Sequence, residues 1–202
     1  MFTEGHVDAG GVRLRYLEAG QGTPLVHLRG AGGLRFTPAH ELLSRRFRVI
    51  AFDMPESSAR ELASTMAQAI KNLGIDSFNL LGTSLGGETA LWLAIQEPAQ
   101  VLALVLEAPP AIRPGGDAEL ERGLRDLATP TLALFGTADT VVPPETGRFY
   151  KERILNGHLV FVYDAGHAIG ADRPEAFTEV VADFLERHEA FVISRTATLI
   201  HP

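Results

Sequence analysis

Short apolar segments typical of β-strands alternate along the chain with longer segments in which apolar residues recur at helical spacing. A strand that is apolar on both sides has to be covered on both sides. This alternation therefore predicts an α/β fold, with a mostly parallel central sheet and helices on both faces. The predicted strands are 12–17, 24–28, 47–52, 78–81, 101–106, 131–135 and 159–162, and the predicted helices are 38–43, 58–73, 85–96, 118–127, 144–154 and 174–188.

The composition excludes several classes of protein. With 202 residues, 46% of them hydrophobic, the chain is expected to fold as one globular domain. It contains no cysteine, which rules out disulfides, thiolate metal ligands and a cysteine nucleophile. The net charge of -7 is opposite in sign to that of most nucleic-acid-binding domains. No apolar run approaches the length of a membrane span and no secretory leader pattern is present, so we expect a cytoplasmic protein.

The most informative motif is G-x-S-x-G, formed by Gly82, Ser84 and Gly86, between a predicted strand and a predicted helix. A serine on a sharp strand-to-helix turn needs glycine neighbours, because side chains there would hold the strand and the helix apart. The turn would raise the Ser84 hydroxyl above the sheet, next to backbone N–H groups that favour negative charge. The motif in this context predicts a nucleophilic serine rather than a linker residue.

A serine hydroxyl needs an oriented base to become a nucleophile, and the sequence offers candidates for both roles. Asp139 follows predicted strand 131–135, and His167 follows predicted strand 159–162. In an open α/β sheet, the carboxyl ends of the strands form the ligand-binding edge. Taken alone, Asp139 is equally consistent with a turn or capping residue and His167 with a solvated loop residue. Together with Ser84, their order along the chain favours a Ser-His-Asp triad.

The chain resembles the α/β-hydrolase superfamily over roughly residues 5–188, and segments 82–87, 136–143 and 165–167 carry the likeness. The resemblance implies that Ser84 is the nucleophile and His167 the general base. Asp139 would then be the carboxylate that orients the imidazole. It also implies an oxyanion hole made by the backbone N–H groups of Leu85 and Ala31.

Two segments depart from the family pattern. Members commonly have His-Gly after the strand that ends here near Leu28, whereas this chain has Arg29-Gly30. We regard Arg29, Gly30 and Thr83 as candidate pocket residues. Asp53 matches an aspartate that members carry after the next strand, but the longer Gly-rich loop that follows it in most members is reduced here to residues 55–58. We interpret Asp53 as fixing a loop, with substrate contact as the alternative.

Many family members insert a helical lid in the region that corresponds to residues 108–129. Here that region has room for only one loop and one helix. The sequence therefore predicts an absent or minimal cap and an open active site. Since lids exclude water and shape pockets, an open site would favour broad or external acyl groups. Residues 108–129 folded over Ser84 would contradict this prediction.

Glu107 is a rival for the role of the triad carboxylate. It ends the strand after the serine motif, where some family members keep their acid. The surroundings of Asp139 match the commoner arrangement, so Asp139 is our preferred assignment.

The expected function is hydrolysis of a carboxylic ester or a related acyl bond of a small-molecule substrate, with no cofactor and no metal. Perhydrolase, haloperoxidase-like and thioesterase activities would use the same triad and stay open, as does a non-catalytic binding role on this fold. Ser84 argues against the dehalogenase branch, whose members use an aspartate nucleophile. A dinucleotide-binding fingerprint fails because its third glycine position is Arg35.

The predicted domain spans residues 1–189, and residues 190–202 form a C-terminal extension. Its apolar residues, such as Phe191 and Ile193, are unusual for a solvated tail. We expect the extension either to pack on its own domain or to join a second subunit in a homo-oligomer.

Overall fold

The computed structural model describes residues 2–30, 33–112 and 117–191, and these residues form an eight-stranded sheet with helices on both faces. The strands are β1 (Thr3–Ala9), β2 (Val12–Ala19), β3 (Pro24–Leu28), β4 (Arg48–Phe52), β5 (Phe78–Thr83), β6 (Val101–Glu107), β7 (Thr131–Gly136) and β8 (Gly157–Val162). The helices are α1 (Pro38–Leu43), α2 (Ala59–Asn72), α3 (Gly86–Gln96), α4 (Ala118–Asp126), α5 (Thr146–Arg153), α6 (Ile169–Asp172) and α7 (Pro174–Arg187), followed by a 3₁₀ turn at His188–Ala190.

The strand order across the sheet is β1-β2-β4-β3-β5-β6-β7-β8. Strands β3 to β8 pair in parallel, whereas β2 runs antiparallel to both of its neighbours. Each predicted strand matches an observed one, and the α/β fold with a mostly parallel sheet is confirmed. The parallel arrangement brings the carboxyl ends of β3 to β8 to one edge, where the candidate site lies.

The sheet separates two apolar layers. Helices α2 to α5 supply buried side chains to the layer on one face, among them Met66, Leu91 and Tyr150. Helices α1, α6 and α7 cover the other face, with Leu43 and Phe184 among their buried side chains. Helix α2 illustrates how the pattern works, since its buried residues recur every three or four positions and Ser58 caps its N-terminus. Both faces of the central strands are thus buried under helices.

Strand β1 and the short helix α6 are the elements that the sequence did not predict. Only Val7 and Ala9 of β1 are buried, because the strand lies at the edge of the sheet. An edge strand with one covered face and a glycine in it shows little of the apolar signal that marks the other strands.

Helix α4 lies in the region 108–129, where many family members have a lid. Leu120 and Leu124 of α4 are buried against the core, and a Cβ added at Gly123 would lie 2.5 Å from the Ile95 side chain near the C-terminus of α3. Since α3 rises about 1.5 Å per residue, this contact lies roughly 15 Å along the helix from Ser84. Helix α4 therefore packs beside the domain, consistent with a minimal cap.

The C-terminal extension is described only at its beginning. Phe191 is buried and packs edge-on against the rings of His158 and Phe184. Residues 192–202 lie outside the described residues, so the boundary at residue 190 and the oligomer hypothesis stay predictions. Among the described residues, no helix has the length and apolar character that crossing a bilayer requires.

Candidate active site

Ser84 stands on a strained turn between β5 and α3. Its φ is +53°, a left-handed conformation that residues other than glycine rarely adopt. The flanking glycines allow the close approach that the motif predicts. A Cβ at Gly82 would lie 2.6 Å from the Ala90 side chain, and one at Gly86 would lie 2.2 Å from the Leu28 carbonyl oxygen. The turn is therefore possible only with glycine at these positions.

Ser84, His167 and Asp139 lie in hydrogen-bonding contact, in that order. Ser84 Oγ is 3.0 Å from His167 Nε2, and His167 Nδ1 is 2.9 Å from Asp139 Oδ2. The imidazole is about one quarter exposed, whereas the side chain of Asp139 is fully buried. With a proton on Nδ1 facing the carboxylate, the Nε2 lone pair faces the serine hydroxyl.

Asp139 is held in place by the backbone of its own loop. Its Oδ1 accepts hydrogen bonds from the N–H groups of Val141, at 2.7 Å, and Val142, at 2.9 Å. These two bonds fix the orientation of the carboxylate and leave Oδ2 for the imidazole. The capping interpretation of Asp139 is thus also correct, since one oxygen caps the loop while the other contacts His167.

The loops that carry Asp139 and His167 are bonded to each other. Ala138 N–H donates to the Ala165 carbonyl at 2.9 Å. A Cβ at Gly136 would lie 2.2 Å from the same oxygen, so glycine is needed there. The Gly166 N–H donates to Asp172 Oδ2 at 2.8 Å, which ties the histidine loop to α6. The positions of the two side chains are therefore coupled through short backbone contacts.

Glu107 makes no hydrogen bond to the imidazole of His167, which is paired with Asp139 instead. The buried Glu107 carboxylate lies behind Ser84, where Oε2 accepts from the Thr83 hydroxyl at 2.7 Å and Oε1 from the Gly170 N–H at 2.8 Å. Burial raises the pKa of Glu107, while these hydrogen bonds and the charge of Arg29 act in the opposite direction.

Thr83 continues into a second set of buried polar side chains. His27 Nε2 lies 2.7 Å from Thr83 Oγ1, and His27 Nδ1 lies 2.8 Å from His40 Nε2. Burial lowers the pKa of His27 well below its usual value, and burial with nearby Arg29 lowers that of His40 to about 4. This contact between His27 and His40 was not predicted from the sequence.

The candidate pocket residues divide between two cavities. Arg29 and Gly30 line a cavity of about 520 Å³ beside Leu85, whereas Thr83 lines a space of about 40 Å³ behind the serine turn, which Arg29 also borders. The guanidinium of Arg29 donates to the carbonyl of Arg35. Asp53 also lines the larger cavity, and its backbone N–H donates to the Arg15 carbonyl at 2.9 Å. Its loop-fixing role and the substrate-contact alternative both stay predictions.

One of the two expected oxyanion donors is described. The side chain of Leu85 is 59% exposed, and its N–H stands at the N-terminus of α3, where backbone donors attract negative charge. Among the described residues, none accepts a hydrogen bond from that N–H. Gly30 lies close by, since a Cβ added to it would be 3.1 Å from the Leu85 nitrogen. Ala31 lies outside the described residues.

Two family profiles match the sequence. The first, described as alpha/beta hydrolase fold, matches residues 24–123, and the second, described as TAP-like protein, matches residues 110–190. The chain belongs to the α/β-hydrolase superfamily. The solved structure of a predicted CIB-like hydrolase from Thermoplasma acidophilum has the same fold. Its TM-score is 0.79 at 21% identity, over 92% of this chain and 98% of that one.

Two curated relatives of this α/β-hydrolase are themselves hydrolases. The 2-hydroxy-6-oxo-6-(2'-aminophenyl)hexa-2,4-dienoic acid hydrolase of Metapseudomonas resinovorans is 25% identical over 266 positions, covering 92% of each chain. That alignment is longer than the 202 residues here, so the relative contains segments that this chain lacks. The pimeloyl-[acyl-carrier protein] methyl ester esterase of Pectobacterium carotovorum is 35% identical over 55% of this chain and 45% of its own length. These likenesses support hydrolase chemistry in general.

Proposed function

We propose that this α/β-hydrolase cleaves a carboxylic ester or a related acyl bond of a small molecule, through an acyl-enzyme intermediate on Ser84. The observation that carries the proposal is the 3.0 Å contact between Ser84 Oγ and His167 Nε2, with Asp139 on the opposite side of the imidazole. A hydroxyl, a base and an orienting carboxylate in this sequence of contacts are the groups that nucleophilic acyl transfer needs.

The first half of the reaction forms the acyl-enzyme. Ser84 Oγ bonds to the acyl carbon while His167 Nε2 accepts the hydroxyl proton, and the carbonyl electron pair moves onto oxygen. The anionic Asp139 stabilises the imidazolium that results. The oxyanion would be bound by the Leu85 N–H and, as the family resemblance implies, by the Ala31 N–H. When the carbonyl reforms, the bond to the leaving group breaks and His167 returns the proton to the departing oxygen.

The second half repeats these steps with water. His167 Nε2 accepts a proton from a water molecule while the water oxygen bonds to the acyl carbon. The second tetrahedral intermediate then breaks down, which releases Ser84 and the carboxylic acid. The proton held on Nε2 goes back to Ser84 Oγ. The enzyme returns to its starting state, so no redox partner or metal is required by the balance of this reaction.

The position of α4 supports a substrate range that is broad in the acyl chain. Because α4 packs near the C-terminus of α3, none of its residues lines the cavity beside Leu85. The cavity of about 520 Å³ is within the range of small-molecule sites. We expect short and medium acyl esters to react with similar kcat/KM.

The proposal is tested with chromogenic esters of increasing acyl length. We expect the wild-type enzyme to hydrolyse several of them, and Ser84→Ala to lose about 10⁶-fold in kcat. Ser77→Ala, which removes an exposed serine hydroxyl that precedes β5, is the matched control and should keep wild-type activity. Equal turnover by Ser84→Ala, or a wild type inactive on every ester, would contradict the proposal.

A further inference from the structure

Three buried titratable side chains behind Ser84 have no part in the proposed reaction. His27, His40 and Glu107 are 3%, 4% and 5% exposed, respectively. Together with the hydroxyl of Thr83 they form a continuous chain of hydrogen bonds across three strands and a helix, with each contact between 2.7 and 2.8 Å. Buried polar groups need their partners, so a complete chain at this depth is a specific arrangement.

The direction of the chain follows from its first donor. The Thr37 N–H donates to His40 Nδ1 at 3.0 Å, and Thr37 Oγ1 lies 2.8 Å from the same nitrogen. Because a backbone N–H can only donate, this nitrogen is an acceptor. A neutral imidazole then carries its proton on Nε2, and His40 Nε2–H donates to His27 Nδ1. By the same reasoning, His27 Nε2–H donates to Thr83 Oγ1, and the Thr83 hydroxyl donates to Glu107 Oε2. Every group points its proton toward Glu107.

Glu107 is the acceptor at which two catalytic segments meet. Its Oε2 accepts from Thr83, the residue before the nucleophile, and its backbone carbonyl accepts from the Ser84 N–H at 2.9 Å. Its Oε1 accepts from the Gly170 N–H, three residues after His167, at 2.8 Å. One residue therefore bonds both to the strand end that carries the hydroxyl and to the segment that carries the imidazole.

We propose that Glu107 is a positioning residue that sets the separation of Ser84 and His167, and that the chain from His40 through His27 and Thr83 keeps its carboxylate oriented as an acceptor. This inference rests on the proposed hydrolase function. It gives Glu107 a role distinct from the orienting acid, because Glu107 acts through Thr83 and Gly170 and touches no reacting atom. Displacements of about 1 Å between reacting groups can lower rates by about 10²-fold.

Glu107→Gln tests this role because an amide cannot replace both acceptors. One end of the glutamine would present N–H groups, either to the Gly170 N–H or to a Thr83 hydroxyl that already accepts from His27. We expect kcat to fall by about 10- to 100-fold with KM changed by less than about threefold, since the geometry of reacting groups is altered rather than substrate binding. Glu179→Gln, on the exposed side of α7, is the control and should match the wild type.

A second pair of variants decides the matter if Glu107→Gln does not fold. Thr83→Val keeps the shape of the side chain but removes the link to Glu107, and we expect a loss of kcat in the same range. Thr83→Ser restores the hydroxyl and should recover most of that loss. Wild-type kcat in Glu107→Gln, or no recovery in Thr83→Ser relative to Thr83→Val, would overturn the positioning role.

The direction of the chain has a readout that needs no activity. Nitrogen-15 NMR of the histidine side chains in the wild-type protein should show His27 and His40 neutral at pH 7, both with the proton on Nε2. A proton on Nδ1 of either ring would overturn the proposed direction. If the wild type hydrolyses no ester but both tautomers are as stated, the proposed function fails while the buried chain stands. If the wild type hydrolyses esters but either tautomer differs from the one stated, the proposed function stands while the proposed direction of the buried chain fails.

Discussion

Adjacent residues in this fold carry hydroxyls that belong to two different sets of hydroxyl, imidazole and carboxylate groups. Ser84 faces the open edge of the sheet, where His167 separates it from Asp139. Thr83 faces the interior, where its own hydroxyl separates His27 from Glu107. The imidazole of His167 is about one quarter exposed, whereas His27 is 3% exposed.

The order of the groups decides which of them can act as a base. In the outer set the carboxylate lies behind the imidazole, so the free lone pair of His167 faces the Ser84 hydroxyl. In the inner set the carboxylate accepts from the hydroxyl, and His27 donates to that same hydroxyl. The proposed function therefore makes the hydroxyl a nucleophile in the outer set, whereas in the inner set the hydroxyl links an imidazole to a carboxylate.

Replacing each histidine gives the largest contrast between the two sets. His167→Gln removes the only base within reach of Ser84 among the described residues, and we expect kcat to fall by about 10⁵-fold or more. His27→Gln disturbs only the inner set, and its loss should stay below about 10²-fold. Steady-state kinetics on the best ester of the series measures both, and comparable losses would remove the distinction between the sets.

Replacing each acid gives the next contrast. Asp139→Ala should lower kcat by about 10⁴-fold, because His167 loses the group that fixes its tautomer and stabilises its charged form. Glu107→Ala should cost clearly less activity, since no oxygen of its side chain bonds to the imidazole. The control is Glu179→Ala on the surface of α7. Equal residual activity in Asp139→Ala and Glu107→Ala would leave the assignment of the triad acid without support.

His40 should make stability depend on pH. Its pKa is about 4 in the folded protein and near the ordinary 6.5 when unfolded. The unfolded chain therefore binds more protons in this window, and the free energy of unfolding falls as pH drops from about 6.5 to about 4. The lowered pKa of His27 also makes the free energy of unfolding fall as pH drops, whereas the raised pKa of Glu107 makes it rise.

The variant His40→Gln isolates this contribution. Between pH 6.5 and pH 4, the fall in the free energy of unfolding should be smaller in this variant than in the wild type, by roughly 3 kcal/mol. This difference follows from the shift of the His40 pKa. Urea unfolding at several pH values measures the difference, and His6→Gln, at an exposed histidine, is the control. The same pH dependence in His40→Gln and the wild type would contradict a neutral buried imidazole.

Substitutions at the adjacent hydroxyls should change stability in opposite directions. Thr83→Val leaves donors and acceptors of the inner set unpaired and should lower the free energy of unfolding by about 1–3 kcal/mol. Ser84→Gly relieves the strain of a φ of +53° and should raise it by up to about 1 kcal/mol. Urea unfolding at neutral pH compares them, and a loss of stability in both would argue against a strained nucleophile turn.

Much of the fold follows from the sequence because each central strand is a short, nearly continuous apolar segment. Strand β6, for example, has six apolar residues before Glu107. The G-x-S-x-G motif likewise predicts a sharp strand-to-helix turn, because the glycines that such a turn needs are close to Ser84 in the sequence. Strand β1 could not be predicted in this way, since an edge strand buries only part of one face. It is recognised from its pairing with β2.

The inner set could not be assembled from the sequence. His27, His40, Thr83 and Glu107 come from four different elements and share no spacing. The register of β3, β5 and β6 brings three of them together, and α1 adds His40 beside His27. Two signals existed, namely a histidine inside apolar strand β3 and a glutamate at the end of apolar strand β6. Each signal identifies a buried polar residue but does not reveal its partner.

The central claim is that Ser84 is the activated nucleophile, and covalent labelling with an alkyl fluorophosphonate tests it most directly. Intact-protein mass spectrometry should show one adduct per chain, peptide mapping should locate it on Ser84, and Ser84→Ala should remain unlabelled. No adduct on the wild type under these conditions, or an adduct of equal yield on Ser84→Ala, would contradict the account.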